Sequence, residues 1–354
     1  MTSRPSVTGT EDVSPVMKGH GFDVLSVEAF MRENVKNFKA PLSVGQIVGG
    51  MSNPTFMLQD DAGRRYVLRK KPPGKLLRSA HAVDREFKVI RALADTGVPV
   101  PAVYAFCEDE SVIGQVFYIM EFVQGRVVRD MALPDYDPVE RAALYDSMNE
   151  VLACLHGIDF PSVGLGDFGR VGGYMTRQVD RWTTQYKATQ TDDLPAMDAL
   201  MKWLPDNMPD DSETVIAHGD FRMENLIFHP RESRVIAVVD WELGTLGNPL
   251  SDLAYNCLPY HMPDPIRGDL IDTDFAKSGI PSEEDYVAAY CRRTGRDPVD
   301  NWSFYMVLSL FRMAAIIQGV YYRGVQGNAP SPEAITNRDL PGLWSQKAVD
   351  ILEA

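Results

Sequence analysis

Residues His218-Gly219-Asp220-Phe221-Arg222-Met223-Glu224-Asn225, with Asp240-Trp241-Glu242 beginning fifteen positions beyond the asparagine, form the stretch whose types and spacing can do chemistry. Two apolar runs, Leu226-Ile227-Phe228 and Val235-Ile236-Ala237-Val238-Val239, flank a polar break at 229–234, a pattern that predicts a β-hairpin. An antiparallel hairpin sets the start of its first strand beside the end of its second. Asn225 and Asp240 should therefore converge and offer two oxygen ligands to one hard cation. Mg²⁺ suits such a pair, with Mn²⁺ the alternative, because it completes its shell with water and phosphate oxygens. Asp220, five residues before Asn225 on the same loop, is placed to accept a proton. The expected chemistry is movement of a phosphoryl group to a hydroxyl. Glu242 either holds a second ion or accepts a hydrogen bond.

The spacing Asp-x-Arg-x-x-Asn followed by a distant Asp parallels the catalytic loop and metal aspartate of kinases. Further pieces occur in the matching order: Gly49-Gly50-Met51-Ser52-Asn53-Pro54-Thr55, Val67-Leu68-Arg69-Lys70-Lys71-Pro72-Pro73-Gly74, Arg85-Glu86-Phe87, and Gly247-Asn248-Pro249-Leu250-Ser251-Asp252. On these motifs the chain resembles the aminoglycoside-phosphotransferase-like family of small-molecule kinases, over about residues 44–323. It is most similar to the branch found as a kinase-like domain fused to acyl-CoA dehydrogenase in animals. The resemblance implies ATP as co-substrate and Asp220 as the base, with Arg222 facing the transferring phosphoryl group.

Around the nucleotide, the glycine turn at 49–55 should cover the phosphates, since glycine lets backbone N–H groups approach closely. Gly50, Ser52 and Asn53 are its candidate contacts. Arg69 takes the place of the strand lysine of kinases, and Lys71, on the same strand face, is the fallback. Glu86 should pair with that cation. The run Met120-Glu121-Phe122-Val123 resembles the hinge that borders adenine, so the backbones of Glu121 and Val123 would bond the base. His218 is expected to hold the loop, and Asp252 to brace it from beneath.

These residues need a scaffold. Strands are expected over 42–48, 55–59, 65–69, 102–106 and 116–122, with a helix over 80–94. Beyond Gly125 the pattern turns helical, over 140–156, 174–188, 194–204, 283–293, 302–322 and 342–352. The expected fold is therefore α+β and, with the resemblance, a bilobal protein-kinase-like fold. A flexible tail would span 1–20, a small antiparallel-sheet nucleotide lobe with one main helix 21–123, and a larger helical lobe 124–354.

At 354 residues and 45% apolar, the chain can bury substantial cores. Four dispersed cysteines, Cys107, Cys154, Cys257 and Cys291, point away from a disulfide framework or zinc cluster and toward a reducing, cytoplasmic setting. The apolar run at 302–322 carries Arg312 at its centre and reads as a core helix, not a membrane span. A net charge of −14 disfavours nucleic acid or an anionic membrane as partner. Within that acidic chain, ten Lys and Arg against two acids crowd residues 64–91. This basic island is either a solvated face or a field for phosphates.

For the acceptor, a small-molecule alcohol, the candidate residues are Arg177, Asp180, Trp182, Tyr186 and Arg312. An Arg in an apolar helix needs an anionic partner, either an acceptor group or an internal acid. The basic loop 70–78, with the dehydrogenase-associated resemblance, suggests a hydroxyacyl-CoA. The alternatives are an aminoglycoside acceptor, or a nucleotide-binding pseudokinase acting as a regulatory module, which the intact Asp220, Asn225 and Asp240 oppose.

Overall fold

The structure, a computed structural model, describes residues 13–17, 19–47, 53–72, 83–264, 268–328 and 332–353. In chain order the first elements are β1 (Val13–Ser14), α1 (Val24–Asn34), β2 (Ser43–Ile47), β3 (Thr55–Gln59), β4 (Arg65–Lys70), α2 (Val83–Leu93), β5 (Val103–Cys107), β6 (Phe117–Glu121) and β7 (Arg126–Val127). There follow α3 (Pro138–His156), α4 (Tyr174–Thr189), α5 (Pro195–Asp206), β8 (Val215–Ala217), β9 (Leu226–Phe228), β10 (Val235–Val238) and β11 (Thr245–Gly247). The chain ends through α6 (Pro249–Asn256), α7 (Phe275–Ser278), α8 (Glu283–Thr294), α9 (Trp302–Val325) and α10 (Leu340–Glu353). The mixed α+β class expected from the sequence is the class observed.

Two compact units emerge. The first comprises 1–128, 161–165 and 223–244, and the second comprises 129–160, 166–222 and 245–354. The hairpin at 223–244 thus groups with the sheet-bearing residues up to 128, whereas a single cut after residue 123 assigns it to the helical portion.

In the first unit an antiparallel sheet runs β1-β2-β3-β4-β6-β5. Strand alternation divides its faces. Phe56, Leu58, Tyr66, Leu68, Phe117 and Ile119 form a core with Val27 and Met31 of α1. The opposite parity places Arg69 against Tyr118, and from there both reach Glu86 on α2. Helix α1 is not signalled by the sequence pattern, because only Val27, Glu28 and Met31 of its eleven residues are buried. The described end of the expected tail, Val13–Ser14, pairs with β2. A second sheet, β10-β9-β7, completes the unit.

In the second unit α9 is the central helix, packed by α4, α6 and α10. It has the length and hydropathy of a membrane span, yet 67% of its most apolar window is buried in the protein. That burial supports the core-helix reading. Helix α6, also unsignalled by periodicity, is buried along its whole length. Its start is set locally: Pro249 occupies the first turn, and the Asn248 side chain accepts from the amides of Leu250 and Ser251. The short antiparallel pair β8–β11 leads into the loop that carries Asp220.

Candidate active site

The hairpin forms as expected. Leu226 pairs with Val238 and Ile227 with Ala237, followed by an irregularity at Ile236. One step further out, the Val239 amide donates to the Asn225 carbonyl at 2.9 Å. This register brings Asn225 and Asp240 to the same open end. Asp240 has a left-handed backbone, φ 66°, uncommon for a residue with a side chain and often found where function holds it. Glu242 lies one turn on, half-buried in the short 3₁₀ turn Trp241–Leu243.

Asp240 accepts from Arg69 Nη2 at 3.1 Å, and Arg69 Nη1 lies 3.2 Å from Glu86 Oε2. Glu86 also accepts from Asn53 Nδ2 at 2.7 Å and from the Tyr118 hydroxyl at 2.9 Å. Burial acts against both members of the ion pair. It raises the carboxyl of Glu86, whereas the carboxylates of Glu86 and Asp240 hold Arg69 charged, above its ordinary range. With three donors on Glu86, the charged pair is the better description. Arg69 therefore makes the ion pair expected of it. Lys70 points from the opposite face to Gln115 at 3.1 Å, and Lys71 sits 3.7 Å from Asp84. Asn53 is buried at Glu86 and is not an open phosphate donor. Gly50 and Ser52 lie outside the described residues.

The Glu121 amide donates to the Ala102 carbonyl at 2.7 Å. A backbone bond from Glu121 to a base would therefore come from its carbonyl, with Val123, half-buried, able to supply an N–H.

In the second unit, α6 makes several bonds to the loop at 218–222. Asp252, Tyr255 and Asn256 of α6 stand at helical spacing i, i+3 and i+4 and take successive parts of the loop. The Asp252 carboxylate accepts the amides of His218 at 2.7 Å and Gly219 at 2.9 Å. The Tyr255 hydroxyl donates to Asp220 Oδ1 at 2.5 Å, and Asn256 Nδ2 to the Phe221 carbonyl at 3.1 Å. Gly219 has φ 78°, a conformation that favours glycine and lets both of its backbone polar groups be gripped. Behind Asp252, His156 bonds it at 3.3 Å and the Tyr290 hydroxyl at 2.6 Å. Burial alone would raise Asp252, but its bond to His156, the nearby His218 and the Gly219 amide outweigh it and hold the carboxyl below its usual range.

Arg222 Nε lies 3.3 Å from Asp220 Oδ1. Arg312 donates to the Gly219 carbonyl at 2.7 Å, and its guanidinium stacks 4.7 Å over Tyr255 and 5.9 Å from Trp182. Arg181 covers Trp182 at 4.9 Å. Arg177, Arg181 and Arg312 all act by charge on Tyr174, whose phenol burial pushes up. Of the acceptor candidates, Trp182 and Arg312 thus gather at the Asp220 loop. Arg177 turns back to the carbonyls of Gly172 and Arg170. Asp180 is exposed, and fully buried Tyr186 is acted on by Asp192, Asp193 and Asp198. Tyr255 and Asn256 escaped the sequence reading. Their one signal is polar side chains spaced with Asp252 on a helix that is otherwise largely apolar.

Two hard-oxygen donors at a hairpin end, without a cluster of three or more His, Cys, Asp or Glu among the described residues, fit Mg²⁺ shared with phosphates better than a cation caged by protein. Comparison with known proteins agrees with this chemistry. Residues 43–300 match the phosphotransferase enzyme family. Acyl-CoA dehydrogenase family member 11 of Rattus norvegicus is 48% identical over 335 residues, 92% of this chain but 42% of that protein. The chain thus spans less than half the length of curated relatives it matches. A solved structure from Ralstonia eutropha, provisionally described as an aminoglycoside phosphotransferase, is 47% identical with a TM-score of 0.85, covering 93% of this chain and 99% of that one. Choline kinase of Cryptosporidium parvum, 14% identical, shares the fold at a TM-score of 0.62 over 94% of this chain and 97% of its own. The chain belongs to the phosphotransferase enzyme family.

Proposed function

We propose that this kinase transfers the γ-phosphoryl group of ATP to a hydroxyl of a hydroxyacyl-CoA thioester. The observation that carries the acceptor class is Arg312, a guanidinium held at the base-bearing loop by its bond to Gly219. It lies 5.9 Å from the Trp182 ring, which Arg181 covers at 4.9 Å. Cations there favour an anionic acceptor and oppose a polycationic aminoglycoside. Relatives named as acyl-CoA dehydrogenase family members support an acyl-CoA in particular.

The roles follow from the chemistry. Arg69, positioned by Glu86, holds nucleotide phosphates, while the Glu121 carbonyl and Val123 amide suit the donor and acceptor edge of adenine. Asn225 and Asp240 would hold Mg²⁺, which when bound neutralises phosphate charge. Glu242 stands beside them as the candidate for a second ion. Asp220 takes the proton of the acceptor hydroxyl as the oxygen bonds the γ-phosphorus. The bond from that phosphorus to the β–γ bridging oxygen breaks, and ADP leaves. Arg222 is charged opposite to the phosphoryl group in transit and suits its stabilisation.

The test is incubation with ATP and Mg²⁺ across three panels: hydroxyacyl-CoA thioesters, the corresponding free hydroxy acids, and aminoglycosides. A phosphorylated thioester detected by mass spectrometry is the expected product. Phosphorylation confined to an aminoglycoside would overturn the acceptor assignment and leave the phosphotransferase intact.

A further inference from the structure

Asp220 sits on an irregular loop, where a carboxylate is free to rotate unless something aims it. The group that aims it comes from α6. The Tyr255 hydroxyl, on a side chain only 9% exposed, donates to Asp220 Oδ1 at 2.5 Å, the short distance of a charge-assisted bond. The ring beneath that hydroxyl is in turn clamped by Arg312 of α9, whose guanidinium lies 4.7 Å over it. Arg312 also donates to the Gly219 carbonyl at 2.7 Å, so it grips the backbone next to Asp220. One arginine therefore fixes both the loop and the phenol that orients the loop's carboxylate.

We propose that Tyr255 is a positioning residue for the general base, locked by Arg312, and that it sets how often Asp220 presents itself to the acceptor hydroxyl. This inference rests on the phosphotransferase reading of Asp220. A phenylalanine would fill the same space and keep the stack with Arg312, so packing alone does not call for the hydroxyl. Burial, reinforced by the nearby carboxylate, pushes the Tyr255 phenol far above its ordinary range. It therefore stays a donor at working pH and does not compete as a base. Arg222, 3.3 Å from the same oxygen, adds charge from within the loop itself.

The experiment compares wild type with Tyr255→Phe, Asp220→Asn and the double variant, using Mg-ATP and water as the acceptor, so that no acceptor identity is assumed. ADP release is read in single turnover, with ADP affinity and thermal melting measured alongside. Tyr255→Phe is expected to lower the rate about 10- to 100-fold, as slight misplacement of a catalytic group does. ADP affinity and the melting curve should hold near wild type. In the Asp220→Asn background the same substitution should cost little more, because the group it orients is gone. Arg312→Gln should reproduce the loss, again with ADP affinity kept. A Tyr255→Phe rate equal to wild type, or a loss that persists in full in the Asp220→Asn background, would overturn the inference. An Asp220→Asn rate equal to wild type would instead overturn the reading of Asp220 as base.

Discussion

Arg69 occupies the strand position where kinases carry lysine, and its geometry gives a reason for the exchange. A lysine presents one nitrogen, whereas this guanidinium reaches Glu86 with Nη1 and Asp240 with Nη2. Because Glu86 is fully buried, removing its cation leaves an uncompensated charge. Arg69→Met is thus expected to lose about 3–5 kcal/mol of stability in urea melts. Arg69→Lys should fold but bind ATP more weakly, read as a raised KM. Asp220→Asn carries the opposite profile. It should lower kcat by about 10²–10⁴ with nucleotide affinity retained, the pattern of a lost general base. A fall in ATP affinity equal to the fall in rate would count against that role.

At the scale of the element, α6 braces the loop at 218–222, which we propose to be catalytic, and its stability should be visible in activity. Asn248→Ala removes the side chain that caps two amides and is expected to cost about 1 kcal/mol, measured as a lowered midpoint in denaturant. The helix also makes stability depend on pH through Asp252. Its folded carboxyl lies below the ordinary value of 3.8, so its contribution is fully present above that value. It disappears as pH falls through the lower folded value. Melting curves of wild type and Asp252→Asn should therefore lie furthest apart near neutrality and approach each other below about pH 4. A gap that widened in acid would show that His156 and the loop amides do not stabilise the charged form.

Across the whole molecule, the described residues fall into two compact units with different chemical equipment. Arg69, Glu86, Asn225 and Asp240 belong to the first, and Asp220, Trp182, Tyr255 and Arg312 to the second. Hydrogen exchange should report this division. Mg-ADP alone is expected to slow exchange mainly in β4, α2 and the 223–244 hairpin, and an added acceptor to extend protection to α4 and the 218–222 loop. Nucleotide protection confined to α4 would contradict the assignment of the first unit. The long apolar α9 has its place here too. Its buried length supports the second unit, and Arg312 in its middle donates to a loop carbonyl and lies over aromatic faces, while its buried Nε has no hydrogen-bond partner among the described residues.

The chain's linear pattern was enough to point to the phosphotransferase family. Hairpin periodicity, turn residues and short-range spacing are local properties, so the convergence of Asn225 with Asp240 could be read directly, as could strands β2 to β6 of the main sheet and the longer helices. Alternation along β4 likewise separated Arg69 from Lys70. Other features depend on contacts between residues far apart in sequence, which no local period encodes. Helix α1 buries only three of its residues, and α6 is buried on every side, so neither shows a clean amphipathic stripe. The grip of Asp252, Tyr255 and Asn256 on the loop spans more than thirty positions of chain. Arg312 meets Gly219 across 93 residues, and the choice of a carbonyl and an aromatic ring as its partners was decided only when the helices packed.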